Sequence, residues 1–158
     1  MDTGDKIYPR LHIILARESD KALIIRRGPS KLTAVIGWDR GKDNFCIGQW
    51  FKGKIYHYRS DISPNGNYWI YFAMSARRAQ TWTAIANPPY LKAIDFYRKH
   101  DAWNGGGIFL TNYSYWLNDG MVSKHIQEKK GKLEVEKSDS LNETVDGEDR
   151  GIYFYKSQ

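Results

Sequence analysis

The sequence predicts a mainly β protein, an antiparallel meander of eight or nine short strands with one helix near residues 88–99. Short runs of β-branched and aromatic residues recur along the chain, and turn-forming Gly, Pro, Asn and Asp separate them. Tyrosine and tryptophan are abundant, with 11 and 6 of the 158 residues, and both favour pleated, half-buried surfaces. The pattern lacks the alternation of strand and helix that would indicate a nucleotide-binding α/β sheet.

The first predicted strands are 11–16, 22–26 and 32–38. The first is apolar apart from His12, and we expect it to be short and buried. Residues 27–30 contain Gly and Pro and predict the turn between the second and third strands. Residues 39–44 form a polar loop, and 45–50 is either a strand or an irregular edge.

A β-hairpin is predicted where two aromatic-rich runs, 50–59 and 67–72, flank a turn. Pro64 sets φ for the first corner of a type I turn, Asn65 suits the second, and Gly66 tolerates the positive φ that follows. The hairpin is the strongest local signal for the β fold class.

A strand at 82–86 precedes the predicted helix. Asn87 can cap a helix, and Pro88 suits the first helical position because its missing N–H would be unpaired there. Four apolar residues then share one helical face: Tyr90, Ala93, Ile94 and Tyr97. The segment 94–97 is also compatible with a strand.

The C-terminal part of the chain predicts loops and short strands. Residues 101–107 are a flexible loop ending in three glycines, and the expected strands are 108–110, 133–136 and 152–155. Residues 138–150 are polar and predict a mobile acidic loop. The whole chain, residues 1–158, is expected to form a single domain.

The charge is unevenly distributed. The formal net charge is +6, yet residues 134–158 contain seven acidic and three basic residues, so the positive excess lies in the rest of the chain. A basic body favours an anionic partner, and an ordinary solvated basic surface is the alternative. Because the N-terminus lacks signal-peptide features and no apolar run approaches ~18 residues, we expect a cytoplasmic protein without membrane contact.

Signals for catalysis or metal binding are weak. The histidines at 12, 57, 100 and 125 lack metal-ligand spacing, and the single cysteine excludes a disulfide or a cysteine zinc cluster. His57 could form an acid–base pair with Asp61 or lie on a polar sheet face, and Cys46 is expected to be a buried thiol. Residues 105–107 could form an anion-binding nest or a turn. We therefore predict no catalytic residue, metal ion or cofactor, and favour a protein without catalytic activity.

Basic and aromatic residues that alternate along the chain are the candidate binding residues. They are Arg26, Arg27, Lys31, Trp50, Lys52, Lys54, Tyr56, Tyr58, Arg59, Arg77 and Arg78. On one interpretation they contact another protein, because Trp, Tyr and Arg dominate interface hot spots. On the other they bind nucleic acid through a basic, aromatic-studded sheet face. We favour a protein-interaction module that acts as an adaptor or accessory subunit.

Two resemblances extend this interpretation. The turn of residues 61–66 resembles the outer part of a β-propeller blade, and Trp38-Asp39 is similar to the dipeptide that closes such blades. The chain has room for about three blades of 40–45 residues, too few for a closed ring of at least four.

A wider set of motifs resembles a group of uncharacterised bacterial proteins over residues 11 to about 118. These motifs are residues 26–30, 38–39, 48–56, 59–64, 82–85, 88–91 and 105–107. The resemblance implies a bacterial protein, for example a subunit of a regulatory or defence complex, and carries no assigned chemistry.

Overall fold

The computed structural model describes residues 8–118, 127–129 and 133–136. The predicted acidic loop at 138–150, the strand at 152–155 and His125 lie outside these residues. The described part contains twelve strands and one short 3₁₀ helix. They are β1 (Arg10–Leu15), β2 (Lys21–Arg27), β3 (Leu32–Asp39), β4 (Asn44–Ile55), η1 (His57–Arg59), β5 (Asp61–Ile62), β6 (Trp69–Ser75), β7 (Thr81–Ala86), β8 (Ala93–Lys99), β9 (Gly107–Phe109), β10 (Ser114–Leu117), β11 (Gln127–Lys129) and β12 (Glu134–Glu136). The mainly β prediction is confirmed.

Nine of the strands within the described residues form one antiparallel sheet in the order β1-β2-β3-β4-β6-β7-β8-β11, with β5 pairing beside β6. This meander does not close into a barrel. A second sheet has the order β12-β10-β9, in which β10 and β12 are parallel.

Strand β4 connects the two halves of the large sheet. Its residues 44–52 pair with β3 across an irregularity in the register, and Gly53–Ile55 pair with β6. The β1–β4 half therefore curls over the β6–β8 half and encloses the first core. Its buried members are Ile14, Ala16, Leu23, Ile25, Val35, Ile55, Ile62, Trp69, Tyr71, Ala73, Ala84 and Ala86.

The second core lies on the other side of strands β6–β8. It contains Ile70, Ile85, Tyr97, Phe109, Tyr115, Leu117 and Leu133, several of which belong to the small sheet. Strand β6 serves both cores because successive side chains of a strand point to opposite faces. Trp69 and Tyr71 face the first core, and Ile70 faces the second.

The predicted hairpin turn is present, although its first strand is shorter than expected. Helix η1 interrupts the run 50–59, and only the two residues of β5 precede the turn and pair with β6. Gly66 has φ +75, and the Ser63 hydroxyl accepts hydrogen bonds from the backbone N–H groups of Asn67 and Tyr68. Local turn chemistry was thus sufficient to locate this element.

The predicted helix near 88–99 is wrong, and the alternative of a strand is right. Tyr90 N–H donates to Asn87 O in a turn, and β8 then pairs along β7. Phe96 packs on the first core whereas Tyr97 lies in the second. A helix with one apolar stripe buries one side only, so the strand buries more of this segment.

Candidate interaction surfaces

The outer side of the β1–β4 half-sheet carries an array of apolar side chains. Directly paired residues in an antiparallel sheet project to the same side, so the strand register aligns them in rows. The rows are Leu15–Ala22–Trp38–Phe45, Ile13–Ile24–Ile36–Ile47 and Leu11–Arg26–Ala34–Trp50. All but one of these residues are apolar, and we call this array the outer apolar face.

Several members of the outer apolar face are open to solvent. Leu11 is 62% exposed, Phe45 59%, Ile47 69% and Trp50 53%. The expectation of a buried first strand is therefore wrong for its outer side, although Ile14 on the inner side is buried. Strand β1 is an edge strand whose two faces have different surroundings.

The sequence of strand β2 indicates that both faces of this half-sheet are suited to apolar packing. Its run Ala22–Ile25 is apolar without interruption, as is typical of strands covered on both faces. Leu23 and Ile25 face the first core, while Ala22 and Ile24 belong to the outer apolar face. Within the described residues, the face is exposed at its β1 and β4 members, whereas Ala22, Ile24 and Ala34 in its middle are buried.

Basic residues border one end of the outer apolar face. The Arg26 guanidinium lies 5.6 Å from the centre of the Trp50 ring and donates a hydrogen bond of 2.8 Å to Gly28 O. Lys31 and Lys52 are exposed in the neighbouring β2–β3 turn and on β4. Ala76 N–H donates to Lys52 O, which brings the turn with Arg77 and Arg78 to the same end. These six residues, Arg26, Lys31, Trp50, Lys52, Arg77 and Arg78, form the basic rim.

Acidic residues at the opposite end are engaged within their own loop. Asp43 Oδ1 accepts a hydrogen bond from Trp38 Nε1, and Asp39 Oδ1 accepts from the N–H groups of Gly41 and Lys42. The two ends of the face therefore differ in the charge that they offer to a partner.

The other five predicted binding residues surround His57 on a different part of the molecule. Lys54 Nζ lies 4.2 Å and Arg59 Cζ 5.4 Å from the centre of the Tyr56 ring. The His57 ring contacts His12 at 4.6 Å and Tyr58 at 4.0 Å between ring centres. We call His12, Arg27, Lys54, His57 and Arg59 the His57 cluster, with Tyr56 and Tyr58 as its aromatic neighbours.

The pKa values of His12, Lys54 and His57 in this cluster are lowered. Burial, followed by the charges of His12, Arg27, Lys54 and Arg10, lowers the pKa of His57, and burial lowers the pKa of His12. Burial also lowers the pKa of Lys54, with Arg27 and Arg59 adding to the effect. The cluster is therefore a place where positive charges oppose one another.

Three chemical interpretations of the sequence are corrected by the structure. The Asp61 carboxylate is buried and accepts hydrogen bonds from the N–H groups of Ile62 and Phe109, and it is not among the groups that shift the pKa of His57. Cys46 is exposed rather than buried. Gly106 is buried and donates to Thr83 Oγ1, so the glycine run is tightly packed and forms no open anion-binding nest.

Two interior features carry no visible chemistry. Tyr115 donates a hydrogen bond to the buried Asp95 and contacts Tyr97 through its hydroxyl, so burial raises its pKa and this network is inaccessible. An apolar pocket of about 240 Å³ is lined by Phe51, Tyr71, Ala73, Trp82, Leu91, Ala93 and Phe96. The Tyr71 hydroxyl donates to Leu91 O, and burial raises the pKa of Tyr71 to about 12.

Within the described part of the chain, His, Cys, Asp and Glu residues form no group of three that could hold a metal ion. None of the described residues forms a helix long and apolar enough to cross a membrane. No family model, curated protein or solved structure matches the chain.

The outer apolar face was missed from the sequence. Its signal was the apolar run of β1, interrupted only by His12, and the unbroken apolar run of β2, and the first of these was interpreted as a buried strand. Only the register of β1 to β4 reveals that half of each run faces outward.

Proposed function

We propose that this protein is a non-enzymatic interaction module, an adaptor or accessory subunit of a larger bacterial complex, and that the outer apolar face binds its partner protein. The observation that carries the proposal is the exposure of aligned apolar residues on a sheet whose other side is core. Exposed apolar arrays of this kind, bordered by polar residues, mark interaction sites. The bacterial assignment rests on the sequence resemblance alone.

The size of the face supports a protein partner. Strands lie ~4.8 Å apart and same-side residues of a strand ~6.7 Å apart, so four strands and three rows span roughly 400 Å². A standard protein interface takes about 800 Å² from each partner. The partner must therefore contact the basic rim as well as the outer apolar face.

The charges at the rim determine which partner fits. The basic rim offers Arg26, Lys31 and Lys52 without requiring movement of the sheet, whereas Asp39 and Asp43 are occupied by hydrogen bonds of their own loop. A partner with an apolar centre and an acidic border complements this arrangement. In a second copy of this chain, one oxygen of each of these two carboxylates is already engaged by its own loop, which favours a different protein as the partner.

A substitution in the middle row of the outer apolar face tests the proposal. Affinity purification with the full chain from its source identifies the partner, and isothermal titration of the two purified proteins measures the affinity. Ile47→Glu places a carboxylate in the apolar contact, so we expect affinity to fall at least about tenfold. Trp103→Glu changes a residue that is 85% exposed outside the face and should leave affinity unchanged.

Stability measurements on the same variants check that the face is free. Because Ile47 is exposed, Ile47→Glu should change the free energy of unfolding by less than about 0.5 kcal/mol. A much larger loss would mean that the chain itself covers the face, and would contradict the proposal. Equal affinity of Ile47→Glu and the unchanged protein for the partner would contradict it as well.

Sedimentation and the salt dependence of binding distinguish a different protein from two other possible partners, a second copy of this chain and a nucleic acid. Concentration-dependent dimers that Ile47→Glu abolishes would indicate a second copy instead of a different protein. Binding to an oligonucleotide that weakens steeply between about 50 and 200 mM salt would favour the nucleic-acid interpretation. The proposed protein complex should tolerate this change of salt better.

A further inference from the structure

We propose that the His57 cluster is a binding site for a tetrahedral dianion of the phosphate monoester class, separate from the outer apolar face. The argument rests on how β1, β2, β4 and η1 bring cations and histidine rings together. It is independent of the proposed function, since it uses none of the residues of the outer apolar face or the basic rim.

The aromatic ring of Tyr56 positions two of the cations. Lys54 Nζ and Arg59 Cζ both approach this ring, and Arg59 Cζ is also 5.4 Å from the centre of the Phe72 ring. Arg59 Nη1 donates to Ala102 O at 2.8 Å, which holds the guanidinium in place. Arginine has five N–H donors, so this bond leaves others for an anion. The side chains are therefore held by the protein before a ligand arrives.

The charge balance at the cluster favours an anion. Among the described residues, the charges that lower the pKa of His57 are those of His12, Arg27, Lys54 and Arg10, and the charges that lower the pKa of Lys54 are those of Arg27 and Arg59. All of these groups are basic. Opposed positive charges cost free energy, and a bound dianion would turn this repulsion into attraction. Arginine and lysine together suit phosphate oxygens, Arg through paired N–H donors and Lys as a point charge.

The two histidines make the site sensitive to pH. His12 on β1 and His57 on η1 are half-buried, and the centres of their rings lie 4.6 Å apart. Burial and the surrounding charges lower the pKa of His57, so its ring is neutral near neutral pH. A dianion stabilises the protonated rings, so binding raises their pKa and strengthens as the pH falls. The charged and titratable groups that act on or contact these rings are Arg10 on β1, Arg27 on β2, Lys54 on β4 and Tyr58 on η1, and Arg59 acts on Lys54.

Nuclear magnetic resonance of the histidine rings tests the site in the full chain. Sulfate is the probe for pH dependence because it stays doubly charged, and inorganic phosphate is the probe near pH 7.5. In sulfate, against chloride of equal ionic strength, we expect the pKa of His57 to rise by about 1, equivalent to about tenfold tighter binding to the protonated ring. Phosphate should shift the His12 and His57 resonances in a saturable way.

Charge-neutral variants localise the effect. Lys54→Gln and Arg27→Gln should each weaken sulfate binding several-fold, because each removes a cation of the His57 cluster. Lys42→Gln removes an exposed lysine of the β3–β4 turn and should bind sulfate like the unchanged protein. Ile47→Glu should also bind normally, so failure at this site and failure of the proposed partner interface are distinguishable.

Several results would overturn the inference. An unchanged pKa of His57 in sulfate would do so. The same rise of the His57 pKa in Lys54→Gln as in the unchanged protein would also contradict it, as would the same rise in chloride as in sulfate. Tighter binding of a single-stranded oligonucleotide than of phosphate, with a steep loss in salt, would assign the cluster to nucleic acid instead. Circular dichroism of each variant at the titration temperature shows whether it is folded. If Lys54→Gln is unfolded, Arg27→Gln and the unchanged protein provide the test.

Discussion

Gly48 shows how one residue controls the approach of two segments. A Cβ atom at this position would lie 2.0 Å from Pro89 O, and one at Gly37 would lie 3.4 Å from the Pro89 ring. The turn after β7 thus rests directly on the β3–β4 pair at the end of the first core. A backbone oxygen cannot move aside as a flexible side chain can, so only glycine fits at position 48.

Gly48→Ala should therefore destabilise the protein. We expect its free energy of unfolding to fall by about 1–3 kcal/mol, because the added methyl group forces the backbone of Pro89 away from β4. Urea unfolding followed by tryptophan fluorescence measures the change. In Gly41→Ala the nearest atom is the exposed Asp20 carboxylate, which can rotate away, so a change within about 0.5 kcal/mol is expected there. An equal loss in the two variants would contradict the packing argument.

Strand β5 is an element of two residues that joins the sheets. Asp61 Oδ1 accepts the N–H of Ile62 and Oδ2 accepts the N–H of Phe109 in β9, both at 2.8 Å. The carboxylate is 1% exposed, and its charge-assisted hydrogen bond from Phe109 ties the large sheet to the small one in the interior. The second bond, from the neighbouring Ile62, lies within β5. These bonds give Asp61 a structural role, in place of the acid–base role that the sequence offered as one interpretation.

Asp61→Asn should weaken the junction between the two sheets. Both oxygens accept from N–H groups, so either orientation of the amide places its own NH₂ against a donor. We expect a loss of about 1–3 kcal/mol in the free energy of unfolding, because a buried donor is left without an acceptor. Asp43→Asn is the matched control at an exposed turn, and hydrogen exchange of the Phe109 amide should accelerate only in Asp61→Asn. Unchanged exchange at Phe109 would contradict the assignment.

At the scale of the whole molecule, the two cores share the strands β6 to β8. Tyr71 and Ala84 lie in the first core, whereas Ile70 and Ile85 on the same strands lie in the second. Loss of either core would remove support from one face of these strands. The described part of the chain is therefore expected to unfold as one unit.

Substitutions in each core test this coupling. Leu23→Ala in the first core and Ile70→Ala in the second both remove fully buried side chains, so each should cost about 2–5 kcal/mol. We expect far-ultraviolet circular dichroism and tryptophan fluorescence to report a single coincident transition in both variants. Two separate transitions, one of them unchanged by Leu23→Ala, would show instead that the cores unfold independently.

Residues that act locally could be interpreted from the sequence. Pro64, Asn65 and Gly66 favour one turn whatever surrounds them, and the runs that became β2, β3 and β7 have strong strand propensity and clear breakers at their ends. The mainly β class followed from these local preferences. The alternation of basic and aromatic residues pointed to Trp50 of the outer apolar face and to Lys54 and Arg59 of the His57 cluster, but Trp38 and Phe45 of that face were not among the predicted residues.

The arrangement of these residues depends on contacts between distant segments. The segment that became β8 carries both a helical stripe and a strand pattern, and pairing with β7 between two cores decides for the strand. His12 and His57 meet because β1 and η1 converge, although 45 positions separate them in the chain. An apolar run such as that of β2 is compatible with burial on two faces. Only the curl of the large sheet decides which face becomes core and which remains open to a partner, because propensity is a property of neighbouring residues and burial is a property of the whole fold.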